Sequence, residues 1–112
     1  VLPIKLDPKV KIHVTGPTSD SIKYQSGGWT VEWQGASTDE AFSFGESVAD
    51  AFKGSQWKVS TSCGVNILGD DDCDTQTDLS FNENALQNAD YVVVCIGEEN
   101  YTGKCKSFFY EM

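Results

Sequence analysis

The run Tyr91-Val92-Val93-Val94-Cys95-Ile96, YVVVCI, is apolar at every position and is closed by Gly97. Side chains of a strand alternate between the two faces of a sheet, so a strand with no polar position is expected where both faces are covered. That is the condition of strands inside a parallel sheet, whose crossover helices lie on each side. The stretch therefore predicts a parallel sheet before any other element is placed. Just upstream, Ser80 and Glu83 fit a capping box, in which the serine oxygen and the glutamate carboxylate satisfy backbone donors at a helix start. Phe81, Ala85, Leu86 and Ala89 supply the buried stripe of that helix.

Two further strands read in the same way. Lys9 to Thr15, KVKIHVT, alternates polar and apolar residues and stops at Gly16 and Pro17, and Gln56 to Ser62, QWKVSTS, alternates until Cys63 and Gly64. Between them Phe44, Val48, Ala51 and Phe52 fall at helical spacing, with Gly54 as the stop. Strand, helix, strand, helix, strand is the order of right-handed parallel crossovers, so the expected class is α/β, an open wound, mostly parallel sheet with flanking helices. The strands run into GPTSD, TSCG and GEENYTG. In open α/β sheets ligands bind outside such carboxyl ends, and the functional segments are expected there. Only FFYEM remains at the C-terminus beyond the third strand and its loop, and three strands make a short sheet of this kind.

At 112 residues the chain, residues 1–112, is expected to form a single domain with a modest core, and 39% hydrophobic with 12% aromatic residues is a globular composition rather than a disordered one. A formal charge of −9 repels phosphate backbones and anionic headgroups, which argues against nucleic acid and membrane surfaces as partners. No run approaches the roughly 18 apolar residues of a membrane span, so no membrane insertion is expected. The opening VLPIKLDPKVKI lacks the apolar stretch of a signal peptide, leaving a processed precursor open. No glycine-rich phosphate loop follows any strand, which disfavours a nucleotide-binding protein.

Cys63, Cys73, Cys95 and Cys105 include no CxxC pair, and one histidine is too few for a common zinc set. Disulfides and idle thiols both remain open, the loop positions of Cys63, Cys73 and Cys105 suiting oxidation better than the strand position of Cys95. Asn100, Tyr101 and Thr102 form an N-glycosylation sequon, which favours a secreted or lumenal compartment. Asp70, Asp71, Asp72, Asp74 and Asp78, with Glu83 beyond, have the charge of a calcium loop, but Thr77 stands where the sharp turn requires glycine. A solvated acidic loop is the expectation, with no metal and no cofactor. His13, alternating within the first strand, is expected to be structural rather than a base.

GGWTVEWQG, residues 27–35, holds two of the three tryptophans, Trp29 and Trp33, four positions apart. Residues so spaced return to one side in either regular conformation. The two rings therefore form either a hydrophobic seam or a platform for a flat ligand. Taken in order, Leu2-Pro3, KIHVTGPTSDS, GGWTVEWQG, a helix, a strand and YVVVCIGEENYTG resemble the first half of the second domain of family 3 glycoside hydrolases, the β-glucosidases and exo-β-glucanases. The resemblance runs from about Leu2 to Tyr101. It implies an α/β sandwich domain, here incomplete, which in the family follows a catalytic barrel. It also implies that Trp33 walls a glucosyl pocket, with Trp29 as supporting packing and Tyr101 nearby, since a sugar's C–H face packs well on an indole.

The resemblance implies an incomplete catalytic set as well. Retaining glycosidases use two carboxyl groups about 5 Å apart. The family takes its nucleophile from the barrel, and Asp20 lies in the wrong context to replace it. The acid/base glutamate of the plant exohydrolases falls, counted from Tyr101, at Gly103. Glu98 and Glu99 are the nearby carboxylates, and both are expected to be a solvated strand end. A glycan on Asn100 would crowd the pocket. The chain alone is therefore expected to be inactive, contributing to a β-glucoside or β-glucan cleft when docked on a catalytic barrel carried by another protein chain or segment. The rival expectation is a noncatalytic structural or interaction subunit that uses its open sheet edge and aromatic patch to bind protein.

Overall fold

The computed structural model describes residues 2–70, 73 and 83–102. Three strands, β1 (Lys11–Thr15), β2 (Lys58–Ser62) and β3 (Tyr91–Val94), form one sheet in the order β2-β1-β3. Both pairings are parallel, with Ile12 beside Val59 and Tyr91, and Val14 beside Thr61 and Val93. The expected open, mostly parallel α/β sheet is what the chain forms, and both pairings among the described residues are parallel. The helices are short: α1 (Ile22–Ser26), α2 (Val48–Lys53) and α3 (Glu83–Gln87), with a 3₁₀ turn at Asp39–Phe42.

One face of the sheet is the core. Ile12 and Val14 of β1 are fully buried against Ala49 of α2, and Val48, Phe52, Trp57, Val59, Tyr91, Val93 and Cys95 pack around them. Phe52 stacks on Trp57 with ring centroids 5.7 Å apart. Helix α2 starts at Ser47, whose hydroxyl accepts from the Asp50 amide and donates to the Asp20 carboxylate (2.8 Å). Lys53 reaches the same aspartate from the last turn (3.6 Å). Asp20 is thus engaged in fixing α2 to the loop after β1.

Several sequence expectations shift. Helix α2 begins at Val48, and Phe44 lies outside it, 87% exposed, because the 3₁₀ turn and the turn after it carry the chain over residues 39–45. Helix α1 and the 3₁₀ turn carry too few apolar residues for periodicity to reveal them; only Phe42 among them is buried. Ser80 and Phe81, the expected cap and stripe of α3, lie outside the described residues. Strand β3 is not covered on both faces: Val92 and Val94 are 45% and 60% exposed, and Ile96 beyond it 81%. An apolar run prescribes what could be buried on each side, and α2 covers only the side shared with Ile12 and Val14.

The opposite face is polar where β1 meets β2. His13 is fully buried, with Nδ1 2.8 Å from Ser60 Oγ and Nε2 2.8 Å from Ser62 Oγ. Ser62 Oγ donates to Thr15 Oγ1 (3.0 Å), so it accepts from Nε2–H, and Nδ1 accepts from Ser60. Burial pushes the imidazole below its ordinary value, in keeping with this neutral ring. His13 is a structural residue, its ring satisfied by hydroxyls.

Candidate functional site

The three strands end together. The Gly16 amide donates to the carbonyl of Cys63 after β2 (3.0 Å), and the Cys95 amide after β3 donates to the Thr15 carbonyl (2.8 Å). Gly16 has φ 107°, and a side chain there would overlap the Cys95 backbone, so only glycine lets the first loop pass between its neighbours. Cys63 is bridged to Cys73, and Cys95 keeps a free thiol that burial pushes up. Cys105 lies outside the described residues.

From this junction Pro17 to Ser21 lead into α1, and α1 ends at Gly27, where the tryptophan segment begins. Residues 27–35 form a tight loop closed on itself: the Trp29 amide donates to the Trp33 carbonyl (3.1 Å) and the Gly35 amide to the Glu32 carbonyl (3.0 Å). At its tip the Glu32 amide donates to the Thr30 carbonyl (2.8 Å) around Val31, whose φ is 67°. This is a γ-turn of the rare positive-φ kind. Trp29 is also left-handed, φ 61°. A β-branched residue held there costs on the order of 1–3 kcal/mol, a cost tolerated mainly at functional loops.

The strained loop presents its aromatics outward. Trp29 and Trp33 are 78% and 59% exposed and meet edge to face, with centroids 6.3 Å apart and planes at 61°. That geometry suits the indole quadrupoles, positive edge on negative face. The loop rests on the segment after β3. Gly28 lies against the Tyr101 carbonyl and Thr102, and Gly35 against Asn100. The fold thus brings the tryptophan loop and Tyr101, which is 52% exposed, to the carboxyl end of the sheet, although they are far apart in sequence.

The catalytic candidates fare differently. Glu98 and Glu99 are exposed on the strand extension after Gly97, and Gly103 lies outside the described residues. Of the acidic run, Asp70 is exposed, and Asp71, Asp72, Asp74, Thr77 and Asp78 lie outside them. Among the described residues no cluster of three or more histidine, cysteine, aspartate or glutamate side chains is placed to hold a metal. No described helix is long and apolar enough to cross a membrane. The strain at Val31 and the seating of the loop on Asn100–Thr102 had no sequence signal beyond the glycines at positions 27, 28 and 35.

Fold and site together describe a small parallel α/β unit carrying an exposed aromatic pair at the strand ends. The chain is similar to a glycoside hydrolase, the lysosomal beta glucosidase of Dictyostelium discoideum, with 32% identity over 107 aligned positions. That alignment takes in 88% of this chain and 12% of the relative's length. No family model matches the chain, and no solved structure does.

Proposed function

We propose that this chain is a piece of the α/β sandwich domain of a family 3 glycoside hydrolase, lining a β-glucoside cleft with Trp33, Trp29 and Tyr101. The observation that carries this reading is the exposed edge-to-face tryptophan pair, held in a strained loop at the carboxyl end of a parallel sheet. Two indoles so placed offer the C–H face of a pyranose a large apolar surface at little entropic cost. Similarity to a beta glucosidase supports the substrate class, and that relative's lysosomal name agrees with a secreted or lumenal setting.

Hydrolysis would take its nucleophile from another chain or segment. Asp20 is spent on α2, and Glu98 is exposed after Gly97. Two measurements test this. Tryptophan fluorescence titrated with cellobiose or laminaribiose is expected to respond in the native chain and to lose the response in Trp33→Ala. An aryl β-glucoside is expected to remain uncleaved by the chain alone; turnover would overturn the assignment of the nucleophile elsewhere.

A second reading, a noncatalytic interaction subunit, draws on the exposed row Val92, Val94 and Ile96 beside β3, an edge strand among the described residues. Silence of the tryptophans toward millimolar sugar would favour it.

A further inference from the structure

The tryptophan pair does not hold its own shape. Its loop contains a positive-φ valine and a positive-φ tryptophan, neither of which a free chain would keep. What opposes that strain is the seat beneath it. A Cβ on Gly28 would come within 2.6 Å of Thr102 Cγ2 and overlap the Tyr101 carbonyl. A Cβ on Gly35 would come within 2.6 Å of Asn100 Nδ2 and 2.7 Å of the Gly27 carbonyl. At both ends of the loop, therefore, backbone lies directly on residues 100–102, with no room for a side chain between them.

The seat is itself costly. Thr102 is 6% exposed, and among the described residues its hydroxyl has no hydrogen-bond partner, nor has the buried carboxamide oxygen of Asn100. Buried polar atoms without partners are destabilising. Close approach to the loop is what these side chains give in return, since Thr102 lies against Gly28 and Asn100 against Gly35, the glycines that bracket Trp29 and Trp33.

From this we infer that Asn100 and Thr102 are positioning residues for the aromatic pair: they seat Gly28 and Gly35, and the edge-to-face arrangement of Trp29 and Trp33 exists only while the loop is seated. The inference rests on the pair being the ligand-facing surface, but its test is read without any sugar. Neighbouring indoles in edge-to-face contact couple their ultraviolet transitions and give a paired positive and negative band in far-ultraviolet circular dichroism. That couplet is expected in the native chain and absent from Trp29→Phe and Trp33→Phe.

Gly28→Ala and Gly35→Ala are each expected to abolish the couplet. Asn100→Ala, which adds no bulk and safeguards against a misfolded glycine variant, is expected to diminish it while a cooperative melting transition remains. Thr102→Val, which keeps the branched shape under Gly28, is expected to retain it. Val59→Ala, in β2 at the opposite edge of the sheet from β3, where Val59 packs against the core, is expected to lower the melting temperature and to leave the couplet in place. A couplet that survives either glycine substitution, or that is undiminished in Asn100→Ala, or that disappears from folded Val59→Ala, would overturn the inference. Failure of the sugar titration alone would leave it standing and count only against the glucoside reading.

Discussion

At Val31 a single dihedral sets stability against shape. Its side chain is 66% exposed, so little packing is lost on removal, while its φ of 67° is a region in which glycine is unstrained. Relief of about 1–3 kcal/mol is offset by the extra chain entropy of glycine, about 0.5–1 kcal/mol. Val31→Gly is therefore expected to raise unfolding free energy by about 1 kcal/mol in urea titration. Thr102 makes a complementary case, because its orphaned hydroxyl is replaced by a methyl of similar size in Thr102→Val, with an expected gain of about 1 kcal/mol. The same burial bears on the sequon. With Thr102 buried and Asn100 against Gly35, the folded chain recovered from a eukaryotic secretory host is expected to show no change of intact mass on glycosidase treatment. His13 sets the pH dependence. Its folded imidazole binds a proton less readily than the unfolded one, so the unfolded state carries more protons wherever the ring titrates. The contribution is full above the ordinary imidazole value and is lost as pH falls below it. His13→Gln is expected to flatten the melting temperature between about pH 7 and pH 5, where histidine is the side chain that normally titrates.

At the scale of elements, what the sequence disclosed followed from how regular each element's burial is. Strand β1 was legible because Ile12 and Val14 alternate with polar residues, and β3 because its apolar run is unbroken up to Gly97; parallel order followed from that run and from the helix-like spacing between the strands. Helix α1 and the 3₁₀ turn were illegible because they are fixed by polar contacts: the Asp39 carboxylate accepts from Ser21 Oγ (3.2 Å) and the Lys23 amide (2.8 Å), a pairing across 16 to 18 positions that periodicity does not register. The tryptophan spacing disclosed that two rings belong together; the γ-turn that aims them is a backbone fact without a composition. Even-numbered cysteines left pairing open, and the fold settles one bridge, Cys63–Cys73, which closes a short loop directly after β2. A loop with a sequence separation of 10 constrains the unfolded chain by about 2–3 kcal/mol. Cys63→Ser with Cys73→Ser is expected to lower the urea midpoint accordingly, and to leave the tryptophan couplet intact, because the loop of residues 27–35 is seated on the other side of the strand junction.

Taken as a whole, the molecule balances a thin core against a large charge. Among the described residues the buried hydrophobic side chains are Ile12, Val14, Ala36, Phe42 and Ala49, while Val92, Val94 and Ile96 line an uncovered part of the sheet next to its open β3 edge. An exposed apolar strand edge invites pairing with another chain. Opposing this is a net charge of −9, whose repulsion acts between copies over the screening distance of the solution. That distance is about 10 Å at 0.1 M salt and about 3 Å at 1 M. Repulsion therefore dominates in dilute buffer, and the apolar edge dominates once the charge is screened. Sedimentation velocity is expected to show a monomer at low salt and growing self-association as salt approaches about 1 M, the opposite of what an association held by ion pairs would do. Val94→Lys removes apolar area and places a charge on the edge, the device by which natural sheets protect such strands. It is expected to suppress association at high salt without altering the tryptophan couplet. Association that weakens with salt, or that persists unchanged in Val94→Lys, would place the contact on another surface.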